Sequence, residues 1–140
     1  MAATIIYDDQ TSHVPAASAE GDDLWMPVQD LRAATGWELK PQGACLGELC
    51  VPISREREAS LVRADRTWFN IAGFARVLGR PVVRDDATNV WVFGTAAADR
   101  QRDLLSLEAP DFRLPDLDGR MHTISEHRGK KIFLYAWASW

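Results

Sequence analysis

The sequence predicts an α+β protein in which a duplicated module precedes a carboxy-terminal segment of different pattern. Residues 24–40 and 67–83 align with an offset of 43 residues, which brings tryptophans, apolar residues and glycines into register. Each copy is followed by short runs typical of strands, and the last 32 residues contain a turn signal and then a continuous apolar run. With 140 residues, 46% of them apolar, the chain is long enough to bury a core in one domain or in two small ones.

The N-terminal residues have a mixed composition, rich in Ala, Ser and Asp after a brief apolar stretch. We expect a flexible N-terminus over residues 1–21, or a short edge strand at Thr4–Tyr7. No basic region precedes an apolar one here, and no apolar stretch approaches the roughly 18–20 residues that span a bilayer. These features predict a cytoplasmic protein without a membrane partner. A net charge of −4 gives no basic field for nucleic acid, so we expect no nucleic-acid partner.

The duplicated module is predicted to span residues 22–95. In each copy an extended stretch carrying a core tryptophan, Trp25 or Trp68, leads into a short helix with apolar residues at helical spacing. Each helix should end at a glycine, Gly36 or Gly79, in the left-handed conformation.

Two short strands are expected after each helix, so that the repeats extend over about residues 24–53 and 67–94. One such unit cannot bury its own apolar face, and we therefore expect the two copies to pack as a pseudo-symmetric pair. The pattern of short helix, glycine and hairpin resembles the small stalk-type domain at the N-terminus of copper amine oxidases. In those proteins the domain is an accessory without the copper chemistry, so the resemblance implies no metal site and no cofactor.

A linker with a short helix is predicted over residues 96–108, and the segment that follows divides into short elements. Asp111–Leu114 reads as a strand, Asp118-Gly119 as a hairpin turn, and residues 121–124 as the return strand. Ser125 is expected to cap one helical turn that stops at a glycine. The apolar run Ile132–Trp137 is typical of a buried central strand.

This segment, residues 109–140, closely resembles the start of thioredoxin-like proteins, the superfamily of peroxiredoxins and thiol–disulfide oxidoreductases. The residues that carry the resemblance are Ala109, Pro110, Asp111, Phe112, Leu114, Asp118, Gly119, Ser125, Arg128, Gly129, Lys130, Trp137, Ala138, Ser139 and Trp140. The Trp-Ala-Ser-Trp sequence favours the oxidoreductases over true peroxiredoxins. His122 and His127 stand where such proteins vary, and we expect them to be solvated.

The resemblance implies that the redox cysteine comes directly after Trp140, at the N-terminus of a helix whose dipole stabilises a thiolate. Trp137, Ala138, Ser139 and Trp140 would then flank the active site, and no catalytic residue lies within the chain. The implied chemistry is attack by a thiolate or selenolate on a disulfide or a peroxide. Three explanations for an end at this position stay open: a fragment, a degraded gene, or a UGA codon that specifies selenocysteine.

Because the implied nucleophile lies outside the 140 residues, these residues alone should lack the family's activity. The alternative to a redox function is a non-catalytic interaction module formed by residues 22–95.

The segment Ile132–Trp140 is expected to pack on the repeat module, to pair between chains, or to promote aggregation, because it would be an unpaired apolar strand.

Cys45 and Cys50, the two cysteines of the chain, are a second redox candidate. If Gly47-Glu48 forms a two-residue turn, the cysteines face each other at a spacing that suits a disulfide. Three states stay open at this point: two reduced thiols, a structural or switchable disulfide, or part of a metal site. Neither cysteine has a basic neighbour in sequence to lower its thiol pKa, so catalytic use is the weaker possibility.

Overall fold

The computed structural model describes residues 2–138, apart from the side chain of Asp103. It divides into two compact units, Met1–Arg102 and Asp103–Trp140, which are called the N-terminal and C-terminal units below. The division falls within a helix that corresponds to the predicted linker helix. None of the helices in the described part of the chain has the length and apolar character needed to cross a membrane.

The N-terminal unit contains eleven strands among its described residues. They are β1 (Ala3–Tyr7), β2 (Gln10–Val14), β3 (Ser18–Glu20), β4 (Asp23–Pro27), β5 (Glu38–Lys40), β6 (Gly43–Leu46), β7 (Leu49–Val51), β8 (Val62–Arg63), β9 (Trp68–Asn70), β10 (Val82–Asp85) and β11 (Val90–Phe93). The helices are α1 (Val28–Thr35), α2 (Arg55–Leu61), α3 (Ile71–Val77) and, across the boundary of the units, α4 (Ala97–Ser106).

The N-terminal residues form an inner strand of a four-stranded sheet with the order β10-β11-β1-β2. β1 pairs in parallel with β11 and antiparallel with β2, and its alternate residues Ala3, Ile5 and Tyr7 are buried. The expectation of a flexible N-terminus or an edge strand is therefore wrong. The physical reason is that the buried face of β1 fills the core, and both of its edges find hydrogen-bonding partners.

Corresponding strands of the two sequence copies pair with each other in a second sheet, of order β3-β4-β9-β8. β4 lies antiparallel to β9, with Met26 opposite Phe69. As predicted, α1 is closed by Gly36 with φ 78°, and Gly79 after α3 has φ 67°. Copy one has three strands after its helix, β5, β6 and β7, where two were expected. That the copies arose by duplication stays a prediction.

The core of this unit lies between the sheets and the helices, where aromatic side chains from distant segments meet. The Trp37 ring packs edge-on against Phe74 with centroids 4.9 Å apart, and Phe69 lies 5.3 Å from Phe74. The Nε1–H of Trp37 donates to the Tyr7 hydroxyl at 2.9 Å, which gives a buried polar group its partner. Of the two tryptophans expected in the core ahead of the repeat helices, Trp25 is buried and Trp68 is half-buried, and Trp91 on β11 is buried as well.

In the C-terminal unit, β12 (Arg113–Pro115) and β13 (Met121–Thr123) form the predicted hairpin, and a 3-10 turn (Ile124–His127) follows. Ser125 lies inside that turn and Thr123 precedes it, so the expectation that Ser125 is the cap is wrong. Its side chain bonds instead to Asp111.

The apolar run Ile132–Trp137 is not a strand, and its side chains are exposed. Its backbone pairs with no strand among the described residues, and Phe133 is 90% exposed. The prediction of a buried central strand is therefore wrong for this chain. Such a strand needs neighbours on both edges, and the described part of the C-terminal unit provides only the β12–β13 hairpin.

Candidate redox sites

The β6–β7 hairpin brings the two cysteines together. Its register places Cys45 opposite Cys50 and Leu46 opposite Leu49, around a two-residue turn in which Gly47 has φ 58°. This is the predicted register, and the two sulfurs are joined in a disulfide with Cα atoms 4.0 Å apart. Of the three states left open by the sequence, the structure shows the disulfide.

A glycine at the start of β6 permits the close approach of the chain that follows β7. Gly43 has φ 142°, and a Cβ at this position would lie 2.2 Å from the carbonyl oxygen of Val51. No side chain fits in that space, so the hairpin requires glycine here.

The two sulfurs differ in their access to solvent. Cys45 is 1% exposed, whereas Cys50 is half-buried and lies on the edge strand of the sheet β5-β6-β7. The side-chain amide of Gln42 lies close to Cys50, with its Nε2 3.9 Å from the Sγ. Gln42 was not identified from the sequence, because no local pattern links a loop amide to a cysteine eight residues further on.

The charges around this disulfide do not favour a thiolate. Glu38 on β5 is the cross-strand neighbour of Cys45, and its carboxylate binds Arg32 at 2.9 Å and Lys40 at 3.6 Å. Within the described residues, neither sulfur has a hydrogen bond to a Lys or Arg side chain. Because a reactive cysteine needs a nearby positive charge or helix N-terminus, the pair is suited to being attacked and poorly suited to attacking.

In the C-terminal unit, hydrogen bonds to Asp111 connect the chain before β12 with the 3-10 turn. The backbone N–H and the hydroxyl of Ser125 both donate to its carboxylate, at 3.0 and 2.6 Å. These bonds, the hydroxyl first, hold the pKa of Asp111 below its usual value. Both residues carry the family resemblance in the sequence, but their contact spans 14 residues and no local pattern predicts it.

A second acidic residue organises the hairpin loop. Asp116 accepts hydrogen bonds from the backbone of Asp118 and Arg120, and its other oxygen lies 2.8 Å from Nε2 of His122. The hydrogen bond to His122 is the largest cause of a lowered pKa at Asp116. His122 is expected to be solvated, and its side chain is 41% exposed; its ring is also paired with the loop carboxylate.

A groove of about 630 Å³ runs along the C-terminal unit. Ile132 and Leu134 line it, whereas Phe133, Tyr135 and Trp137 do not, so the run alternates as a strand would. The other groove residues are Glu108, Ala109, Pro110, Asp111, Phe112, Ile124, Ser125, His127, Arg128 and Lys130.

The predicted flanking residues do not form a site in the described part of the chain. Trp137 is 74% exposed and Ala138 is exposed, while Ser139 and Trp140 lie outside the described residues. The described residues contain no group of three His, Cys, Asp or Glu side chains that could hold a metal ion.

Comparison with known proteins identifies partial relatives of one kind. The chain is 53% identical over 32 residues to a thiol-disulfide oxidoreductase ResA of Geobacillus thermodenitrificans, and the match covers 23% of this chain and 18% of that protein. It is 53% identical over 53 residues to a ResA of Geobacillus kaustophilus, which covers 38% of this chain and 27% of that protein. No family model matches the chain, and no solved structure does.

The chain thus spans only about a fifth to a quarter of the length of these relatives. The similarity supports a relationship of the matched part of the chain to thioredoxin-like proteins. The resemblance to the copper amine oxidase stalk domain, the peroxiredoxin chemistry and the cytoplasmic location stay predictions.

Proposed function

We propose that residues 109–140 are the N-terminal part of a thioredoxin-like unit that carries out thiol–disulfide exchange. The observation that carries the proposal is the 53% identity to a thiol-disulfide oxidoreductase over 32 residues, which is also the length of this segment. The β12–β13 hairpin, fastened through Asp111 and Ser125, supports the same interpretation.

The chemistry of such a unit is the attack of a thiolate on a substrate disulfide, followed by resolution of the mixed disulfide by a second thiol. In the proteins that the segment resembles, the attacking residue follows the sequence that corresponds to Trp137–Trp140. The two cysteines of the 140 residues both lie in the N-terminal unit, in a setting that does not activate them. We therefore expect no catalytic turnover of disulfides by these 140 residues alone.

A segment exchange tests the proposal. The matched 32 residues of the Geobacillus thermodenitrificans relative are replaced by their counterparts from this chain. The chimera is expected to fold and to reduce a peptide disulfide within about tenfold of the parent's rate, because 53% of the exchanged residues are identical and cores tolerate several replacements when volume and polarity pattern are kept. Circular dichroism and a disulfide reduction assay provide the two readouts.

A second chimera carrying residues 71–102 of this chain, a segment of equal length from the N-terminal unit, is the matched control and should neither fold nor react. If the first chimera fails to fold, or folds but does not reduce the peptide disulfide, residues 109–140 are not part of a thioredoxin-like unit.

Self-association through the exposed apolar run is a second candidate role, favoured by the exposure of its alternate side chains. Phe133 and Tyr135 are 90% and 70% exposed, and an unpaired extended segment of this kind tends to pair with another chain. We expect the chain to be larger than a monomer in size-exclusion chromatography with light scattering. Replacing Phe133 and Tyr135 together by serine should shift it to the monomer.

Serine at Leu104 and Leu105 of α4 provides the control, because these side chains are similarly exposed, at 78% and 73%, but lie on a helix. That pair should leave the association unchanged. A monomeric wild-type chain, or an equal response to both double substitutions, would rule out pairing through the apolar run.

A further inference from the structure

We infer that the Cys45–Cys50 disulfide is a target for reduction by a dithiol protein, and that Cys50 is the sulfur attacked. This site belongs to the N-terminal unit and has no counterpart in the function proposed for the C-terminal segment. The inference is thus independent of that proposal.

The direction of attack follows from the difference in burial. In thiol–disulfide exchange the attacking sulfur approaches one sulfur of the disulfide and the other sulfur leaves, so that the attacked atom must be accessible. Cys45 is 1% exposed and its sulfur cannot be reached without opening the core, whereas Cys50 is half-buried. The exchange is therefore expected to begin at the Sγ of Cys50 and to release Cys45.

The surroundings of Cys50 are suited to a protein reductant. Among the described residues β7 is the edge strand of its sheet, so an extended segment of a partner can pair along its outer side. Leu49, next to Cys50, is 61% exposed, and Leu46 across the turn is 41% exposed. The leucine side chains lie on the face of the hairpin opposite the sulfurs, because successive residues of a strand alternate, so a protein segment paired along β7 would contact both the leucines and the disulfide.

The reaction balances in two exchange steps. A thiolate of the dithiol protein attacks the Sγ of Cys50, the Cys45–Cys50 bond breaks, and Cys45 leaves as a thiolate that takes up a proton. The second thiol of the partner then attacks the mixed disulfide and releases Cys50, which Gln42 Nε2, at 3.9 Å, is placed to stabilise by donating a hydrogen bond. Two electrons pass to the chain, which gains two thiols, and the partner becomes a disulfide.

The cysteine that forms the mixed disulfide can be identified on the wild-type chain with a trapping experiment. Thioredoxin whose second active-site cysteine is replaced by serine is mixed with the oxidised chain, the reaction is quenched with acid, and the mixed disulfide is digested with a protease that cleaves after glutamate. Cleavage after Glu48 separates the two cysteines. We expect thioredoxin to be found on the peptide that contains Cys50, and a link found mainly on Cys45 would overturn the inference.

The apolar tip formed by Leu46 and Leu49 is tested with L49Q, a neutral polar substitution at an exposed position. We expect it to slow reduction by intact thioredoxin by roughly tenfold and to leave reduction by dithiothreitol unchanged, because only a protein partner contacts the leucine tip as well as the sulfur. Thiols are counted by alkylation and mass spectrometry. Equal rates with thioredoxin before and after the substitution, or two alkylated thiols before any reductant is added, would contradict a dithiol protein as the reductant.

Discussion

Replacing Ile5 by alanine is expected to lower the free energy of unfolding of the N-terminal unit by about 2–5 kcal/mol. Ile5 has no exposed surface and sits on the inner strand β1, opposite Trp91 in the parallel pairing with β11. The loss of its side chain leaves a cavity at the centre of a sheet that cannot collapse without breaking strand pairing. Urea denaturation followed by tryptophan fluorescence measures the change.

The neighbouring residue provides the control for this prediction. Ile6 is on the opposite face of β1 and is only half-buried, so Ile6→Ala should cost clearly less than Ile5→Ala. If the two substitutions have the same small effect, β1 is not an inner core strand and the N-terminus is as flexible as its sequence suggested.

Replacing Trp37 by alanine is expected to lower the free energy of unfolding by about 3–5 kcal/mol, the second large effect. Trp37 is 3% exposed, packs against Phe74, and donates its indole N–H to Tyr7. The substitution removes a large buried side chain and also leaves the Tyr7 hydroxyl without this donor. Thermal and urea denaturation should both report the loss.

Two substitutions separate packing from hydrogen bonding at this position. Tyr7→Phe keeps the ring but leaves the buried Trp37 N–H without its acceptor, and should cost about 1–3 kcal/mol. Trp68→Ala removes a tryptophan that is only half-buried and should cost less than Trp37→Ala. A Trp37→Ala protein as stable as the Trp68→Ala protein would show that Trp37 is not a core residue.

The core also changes the pKa of the Tyr7 hydroxyl. Burial raises the pKa of its hydroxyl, although Arg80, whose guanidinium lies 4.2 Å from the ring centre, acts in the opposite direction. The neutral hydroxyl is therefore the form that burial favours, whereas the hydrogen bond from Trp37 lowers the pKa because it would be stronger to the ionised oxygen.

The redox assignment depends on two observations in different units. The C-terminal segment is similar to thiol-disulfide oxidoreductases but contains no cysteine, and the N-terminal unit has a disulfide but no group that activates a thiol. The chain is accordingly proposed to provide part of a redox unit and, separately, an accessible disulfide that accepts electrons.

Several features of the fold could be predicted from the sequence because they depend on neighbouring residues. The helix ends at Gly36 and Gly79, the turn at Gly47-Glu48 and the β12–β13 hairpin all follow from local backbone preferences. The position of Cys45 opposite Cys50 follows from the Gly47-Glu48 turn, because a two-residue loop determines how the two strands pair.

Other features were decided only by tertiary contacts. β1 pairs with β11 over more than 80 residues of chain, the Trp37–Tyr7 bond spans 30 residues, and no pattern within either segment specifies its partner. The run Ile132–Trp137 shows the converse case, in which a strong strand pattern forms no strand because the described residues offer it no sheet. The sequence by itself determined turns, caps, register and the family resemblance, all set by short-range sterics and side-chain chemistry. The tertiary structure alone decided which strands lie inside a sheet and which of the two sulfurs is accessible, because burial depends on what packs against a segment as well as on the segment itself.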